Sequence, residues 1–193
     1  MSYDLVVLAG GGATRLGGVD KVTLPLAGIS PLERLLCTAA DAGNVVVVGP
    51  PRQTSREVTW CLEEPAGSGP LAAVAAAFPY LRAPTVVVAA GDMPSFGEAT
   101  RTLLAALEDS SHADAAVLID ETGIRQPLAA AYRRDALVRR VRELGQLTGR
   151  PARLLLEEIQ LVDVPAVGAS ADVDTWDDVH RIEQELRKTG DAP

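Results

Sequence analysis

The chain has 193 residues, of which 47% are apolar and 23% charged, with few aromatics. That length buries a sizeable core and suits one domain. A formal charge of −8 excludes broad, unspecific attachment to nucleic acid or anionic lipid, which needs a basic surface, while leaving room for a local cationic pocket.

The first strand pattern begins within a few residues of Met1, so no secretory leader is expected. No apolar run approaches the roughly 20 residues that span a bilayer, and a cytoplasmic location is the expectation. Cys37 and Cys61 sit far apart in apolar contexts without a CxxC partner. They read as buried, reduced thiols rather than zinc ligands.

Leu5–Leu8, Val45–Val48, Thr85–Ala89 and Ala115–Ile119 are continuous apolar runs, as expected for parallel strands covered on both faces. Helical patterns separate them. Pro31–Ala42 has Ser30 as N-cap, proline at the first helical position and Gly43 beyond its end. Pro70–Phe78 and Thr100–Asp109 follow. In the second half, Gln126–Tyr132 reads as a strand, Asp135–Leu144 and Ala152–Glu158 as helices, and Leu161–Val164 as a late strand. Trp176–Lys188 is the final helix, capped by Thr175 with Asp177 and Asp178 in its first turn. The alternation predicts a three-layer, Rossmann-like α/β fold with a mainly parallel sheet. Residues 1–188 read as a single domain and 189–193 as a frayed tail.

Ligands in such sheets bind beyond the carboxyl ends of the strands. Two unusual segments fall there: the glycine-rich run Leu8–Lys21 after the first strand, and Gly91-Asp92-Met93-Pro94 after the third. Gly10-Gly11-Gly12-Ala-Thr-Arg15 overlaps the dinucleotide fingerprint GxGxxG, but its last glycine is replaced by Arg15. The loop also continues through Leu16-Gly17-Gly18-Val-Asp-Lys and an extended segment before any helix. An NAD-dependent oxidoreductase is disfavoured further because no acidic residue ends the second strand. No GK[ST] is present, so a P-loop is excluded. The remaining reading is a loop whose backbone N–H groups face anionic oxygens, with Arg15 and Lys21 adding cations. The plain alternative is a surface turn.

The run LAGGGATRLGG-x-DK resembles the first motif of nucleotidyltransferases of the molybdenum cofactor guanylyltransferase type. Gly69-Pro70-Leu71, Ala90-Gly91-Asp92-Met93-Pro94 and Gln126-Pro127-Leu128-Ala-Ala-Ala-Tyr132 resemble the family's later motifs in the right order. The resemblance spans about Leu5 to Val179. It implies a nucleotidyltransferase domain that moves GMP from GTP to the phosphate of molybdopterin, with Mg2+ and release of pyrophosphate. Such chemistry rests on positioning and charge neutralisation, so His112 and His180 read as ordinary surface or helix residues.

On that resemblance Arg15 and Lys21 hold the triphosphate, and Asp92 is the magnesium ligand; a helix cap or turn is the competing role for Asp92. Asp20 either orients Lys21 or is solvated. Leu8, Ala9, Gly10, Gly11 and Gly12 line the nucleotide, as do Gly69, Pro70 and Leu71. Glu63 matches an acidic residue that contacts the nucleoside, with Glu64 as competitor. CTP-using relatives commonly carry LAAG where this chain has Leu8-Ala9-Gly10-Gly11, which favours GTP. The end of the chain departs from the pattern: Asp172-Val173-Asp174-Thr175 stands where guanylyltransferases usually have an asparagine-rich segment. DxDT looks more like the molybdopterin cytidylyltransferase and phospholactate guanylyltransferase branches. Asp174 is therefore expected near the metal and Asp172 on the acceptor side; Gly149-Arg150-Pro151-Ala152-Arg153 resembles a basic stretch of the family that puts Arg150 and Arg153 on the acceptor side too, a solvated pair being the alternative. CTP, another phosphorylated acceptor and a nucleotide-binding relative without turnover stay open. No nucleic acid or membrane partner is expected, and protein partners are not indicated. Arg133, Arg134, Arg139, Arg140 and Arg142 read mostly as surface charges.

Overall fold

Valine- and alanine-rich runs form the middle of a seven-stranded sheet in the computed structural model, which describes residues 2–10, 18–166 and 172–188. The strands are β1 (Tyr3–Leu8), β2 (Val45–Val48), β3 (Thr59–Cys61), β4 (Thr85–Ala90), β5 (Ala115–Ile119), β6 (Arg125–Arg133) and β7 (Leu161–Pro165), in the spatial order β3-β2-β1-β4-β6-β5-β7. All neighbours pair in parallel except β6, which runs antiparallel to β4 and β5. The helices are α1 (Pro31–Thr38), α2 (Pro70–Ala76), α3 (Phe96–Asp109), α4 (Arg134–Leu144) and α5 (Trp176–Lys188). The three-layer, mainly parallel α/β fold read from the sequence is the one observed.

Side chains on successive strand residues point to opposite faces, and each face has its own core. Leu5, Val7, Val47 and Val87 pack with Leu32 and Leu35 of α1 and with Phe96, Leu103 and Leu107 of α3. Val6, Val46, Val48, Val86 and Val88 pack with Leu71 and Val74 of α2 and with Leu137 and Val141 of α4. A third, smaller core lies off the sheet. There Leu26 meets Val173 and the Val179, Ile182 and Leu186 stripe of α5, with Val19, Leu24 and Ala27 against it. Glu183 Oε1 accepts the Ala27 N–H at 3.2 Å, which fastens α5 to the same loop.

Several sequence expectations need correction. α1 stops at Thr38 rather than Ala42, because Ala39 leaves helical geometry and Gly43 donates to Tyr3 O at 2.8 Å to start β2. α3 begins at Phe96, before Thr100. Gly97 permits this start: a Cβ there would fall 1.8 Å from Thr38 Oγ1, so only glycine lets α3 approach α1 so closely. Ala152–Leu156 is a short 3-10 helix, not an α-helix running to Glu158. Cys37 is exposed on α1, and Cys61 is half-buried with its thiol pushed up by burial and then by the Glu63 charge. Among the described residues no helix is long and apolar enough to cross a membrane.

Arg139 and Arg142 are exposed, as surface charges would be, but Arg133 and Arg140 hold elements together. Arg133 donates to the carbonyls of Ala113, Leu107 and Ser110, closing the end of α3 onto β5. Arg140 is 5% exposed, donates to Leu154 O and meets Glu157 and Glu158.

Candidate active site

The strand order reverses between β1 and β4, and a crevice opens there at the carboxyl edge. Ala9 continues the ladder past β1, donating to Val48 O at 2.8 Å, and Gly91 donates to Leu8 O at 2.8 Å. These bonds pin the ends of three strands together. A Cβ on Gly91 would stand 3.0 Å from Leu8 O and 3.0 Å from Val22 Cγ1, so glycine is what lets the two segments close up.

Asp92 emerges from this junction. It does not cap a helix: Ser95 is the N-cap of α3, and Asp92 sits one turn earlier. Its side chain is 25% exposed and lies 3.6 Å from the ammonium of Lys21. That ammonium also donates to Asp174 Oδ1. Asp174 arrives from the far end of the chain, held in place because Val173 is fully buried in the third core and donates to Asp92 O at 3.1 Å. Two carboxylates from separate segments therefore converge on one lysine, with exposed Asp172 beside them.

Electrostatics follow from that crowding. Burial pushes the Asp92 carboxyl above the usual range; Lys21 opposes the shift, and Asp172 and Asp174 add to it. Partial burial, then Asp174, raises Asp172. Burial alone would lower Lys21, but its hydrogen bond to Asp174 and the charges of Asp92, Asp174 and Asp172 outweigh that and raise it. This cluster favours cations and holds one already.

A cleft of about 450 Å3 extends from the cluster. Leu8, Ala9, Gly10, Glu63, Gly69 and Pro70 line it together with Lys21 and Asp92, so these sequence candidates are brought together on one wall. Glu63 rather than Glu64 faces it, and Glu63 Oε1 also accepts the Gly67 N–H at 2.9 Å. Leu71 is different: it is fully buried in the core beneath α2 and is not among the lining residues. Gly11, Gly12 and Arg15 lie outside the described residues.

Arg150 and Arg153 are not brought to the cleft. Arg150 donates to Leu144 O at 2.7 Å, closing the carbonyl end of α4, where unpaired carbonyls attract a cation. Arg153 is 72% exposed and pairs with Glu157 one turn on. Asp20 lines the cleft but pairs with Arg52, not with Lys21. Leu128, Ala73, Ala90 and Gly67 complete the wall. Leu128 belongs to the Gln126-Pro127-Leu128 motif, so its signal was present; Ala73 carried none.

Asp92 and Asp174 suit a hard divalent ion such as Mg2+. Among the described residues no group of three or more His, Cys, Asp or Glu side chains forms a fuller ligand set. One or two carboxylates are what Mg2+ takes when phosphates and water supply its other ligands. The ammonium already drawn between the two aspartates marks where positive charge is favoured.

Comparison with known proteins agrees with this geometry. The description of the MobA-like NTP transferase domain matches residues 5–164. A probable molybdenum cofactor guanylyltransferase from Methanosarcina acetivorans is 30% identical over 71% of this chain and 66% of its own length. Another, from Natronomonas pharaonis, is 26% identical over 94% of this chain and 96% of its own. The crystal structure of molybdopterin-guanine dinucleotide biosynthesis protein A from Archaeoglobus fulgidus superposes with a TM-score of 0.72 at 24% identity, covering 96% of this chain and 99% of that one. With the crevice, the glycine-rich edge and the match across 160 consecutive positions (5–164) in agreement, the chain belongs to the MobA-like NTP transferase family.

Proposed function

We propose that this protein transfers GMP from GTP to the phosphate of molybdopterin, releasing pyrophosphate, with Mg2+ as cofactor. The convergence of Lys21, Asp92 and Asp174 at the mouth of the β1/β4 crevice carries the reading. The choice of GTP and molybdopterin is supported by the names of the relatives, probable molybdenum cofactor guanylyltransferases.

An oxygen of the acceptor phosphate attacks the α-phosphorus of GTP. The bond from that phosphorus to the bridging oxygen of the β-phosphate breaks, and pyrophosphate leaves. Lys21 meets the triphosphate as a compact cation and neutralises charge that develops at the α-phosphate. Arg15, with Gly11 and Gly12, is assigned to the same triphosphate. Asp92 and Asp174 would hold Mg2+, which when bound supplies further charge neutralisation on the phosphates. Leu8 to Gly10, Gly69 and Pro70 form the nucleoside wall. Glu63 is an acceptor-only side chain on that wall, suited to a donor edge such as that of guanine. Asp172, beside the cation cluster, is placed on the acceptor side. Arg150 and Arg153 are withdrawn from that side, since their partners are the α4 carbonyls and Glu157.

Pyrophosphate release from each of the four NTPs with Mg2+, with and without molybdopterin, tests this reading. GTP turnover that requires molybdopterin is the expected result. Turnover with CTP alone would overturn the base, and nucleotide binding without pyrophosphate release would overturn catalysis.

A further inference from the structure

Lys21 must hold its ammonium in one place to serve a triphosphate, yet it sits on a turn rather than in a strand or helix. Its neighbours on both sides are fixed by different means. Val22 is buried against Gly91 and accepts the Leu32 N–H at 3.1 Å. Asp20 is fixed through both carboxylate oxygens: Oδ1 accepts the Val22 N–H at 3.3 Å, and Oδ2 accepts Arg52 Nε at 2.6 Å. Arg52 is anchored in turn by Nη1, which donates to Pro50 O at 2.9 Å just past the end of β2. Its side chain is 16% exposed, whereas that of Asp20 is 43% exposed.

We infer that Arg52 is a positioning residue for nucleotidyl transfer, acting through the Asp20 carboxylate on the Lys21 turn. The guanidinium ties the segment after β2 to a carboxylate that closes the turn around Lys21, so the ammonium is aimed through a contact between residues 32 positions apart. Arginine suits this post because its fixed fork serves a carbonyl and a carboxylate at once. Without it Asp20 keeps only its local bond to Val22, and the turn opens more often.

The kinetic arm of the test rests on the transfer reading above, and the exchange arm does not. Amide hydrogen exchange across residues 18–24 is measured in wild type, Arg52→Met and Arg52→Lys. Exchange at Val22 and Thr23 is expected to quicken about twofold to fivefold in Arg52→Met, as for a partly exposed ion pair, and to be partly restored in Arg52→Lys. In steady-state turnover the same variant is expected to lower kcat by a similar factor with little change in KM. Arg52→Met combined with Asp20→Asn is expected to do no more than either alone. Unchanged exchange, or a loss confined to KM that adds to that of Asp20→Asn, would overturn the role. A wild-type protein inactive with every NTP would count against the transfer reading instead, while exchange still decides whether Arg52 orders the turn.

Discussion

Two aspartates at opposite ends of neighbouring central strands make a useful contrast. Asp4, near the start of β1, is fully buried and accepts N–H groups from Asn44, Arg82 and Ala83, plus the Asn44 side chain at 3.1 Å. Asp92, just past the end of β4, has a lysine 3.6 Å away and an open cleft in front of it. Both are carboxylates beside a parallel sheet. The first has its lone pairs filled by fixed neutral donors, so it can only hold the loops before β2 and β4 together. The second faces a lysine ammonium at the mouth of an open cleft, where the metal ion and phosphates are proposed to enter. Which donors a buried carboxylate meets therefore separates scaffold from site more sharply than burial does.

The contrast can be broken most directly at Asp92. Asp92→Asn is expected to cut turnover by about 100-fold to 1,000-fold, the scale of losing a main electrostatic element at a reacting phosphate. Its Tm should be unchanged or higher. Because burial raises Asp92 in the folded protein, this group's contribution to stability is fully present below the ordinary carboxylate range and is lost as pH rises through the raised value. Asparagine avoids that penalty near neutral pH. A variant that loses activity only by unfolding would erase the distinction.

Asp4→Ala is expected to behave in the opposite way. Leaving several buried donors unpaired should cost about 3 kcal/mol, read as a lower denaturation midpoint, while the protein that stays folded turns over normally. A loss of kcat in that folded fraction would show that the two ends of the strands are not separable.

The acid limb of activity sharpens the comparison next. If Asp92 must be ionised before the metal enters, turnover at limiting Mg2+ should fall as pH drops through a value above the usual carboxylate range, since the carboxyl is shifted upward in the metal-free protein. An acid limb at or below an ordinary aspartate's would contradict this.

The smallest effect is expected at Asp178, which neither holds the sheet nor faces the cleft. Its carboxylate accepts the Thr175 N–H at 2.9 Å and the Thr175 hydroxyl at 2.7 Å, while its own N–H donates back to that hydroxyl. This reciprocal cap orders the start of α5. The Thr175 hydrogen bond holds Asp178 below the usual range, so the cap is present above that range and is lost as pH falls through the lowered value. Asp178→Ala should cost about 1 kcal/mol, seen as faster amide exchange in the first turn of α5. An unchanged exchange rate there would remove the cap from the account.

The sequence made the scaffold legible where patterns were strong. Each of the four apolar runs reappears within two residues at either end as β1, β2, β4 or β5. β3 was missed because it has three residues, all half-buried, and carries neither alternation nor a continuous apolar run. The antiparallel sense of β6 could not be read either, since a strand covered on both faces looks alike in both directions. Lys21, Asp92 and Gly69 stood out because they lie in compact motifs, and Asp92 closely follows β4. The link between Arg52 and Asp20 did not. It depends on which strand ends become neighbours, and no local spacing records that.

The third core has an evolutionary consequence. It joins the segment that carries Asp174 to the loop that carries Lys21 without using the sheet, and it draws on α5, which lies beyond the residues 5–164 matched by the family description. Substitutions along the apolar stripe of α5 can thus shift the second carboxylate relative to the lysine while both principal cores stay untouched. That leaves the spacing of these two charges open to change with the scaffold unaltered.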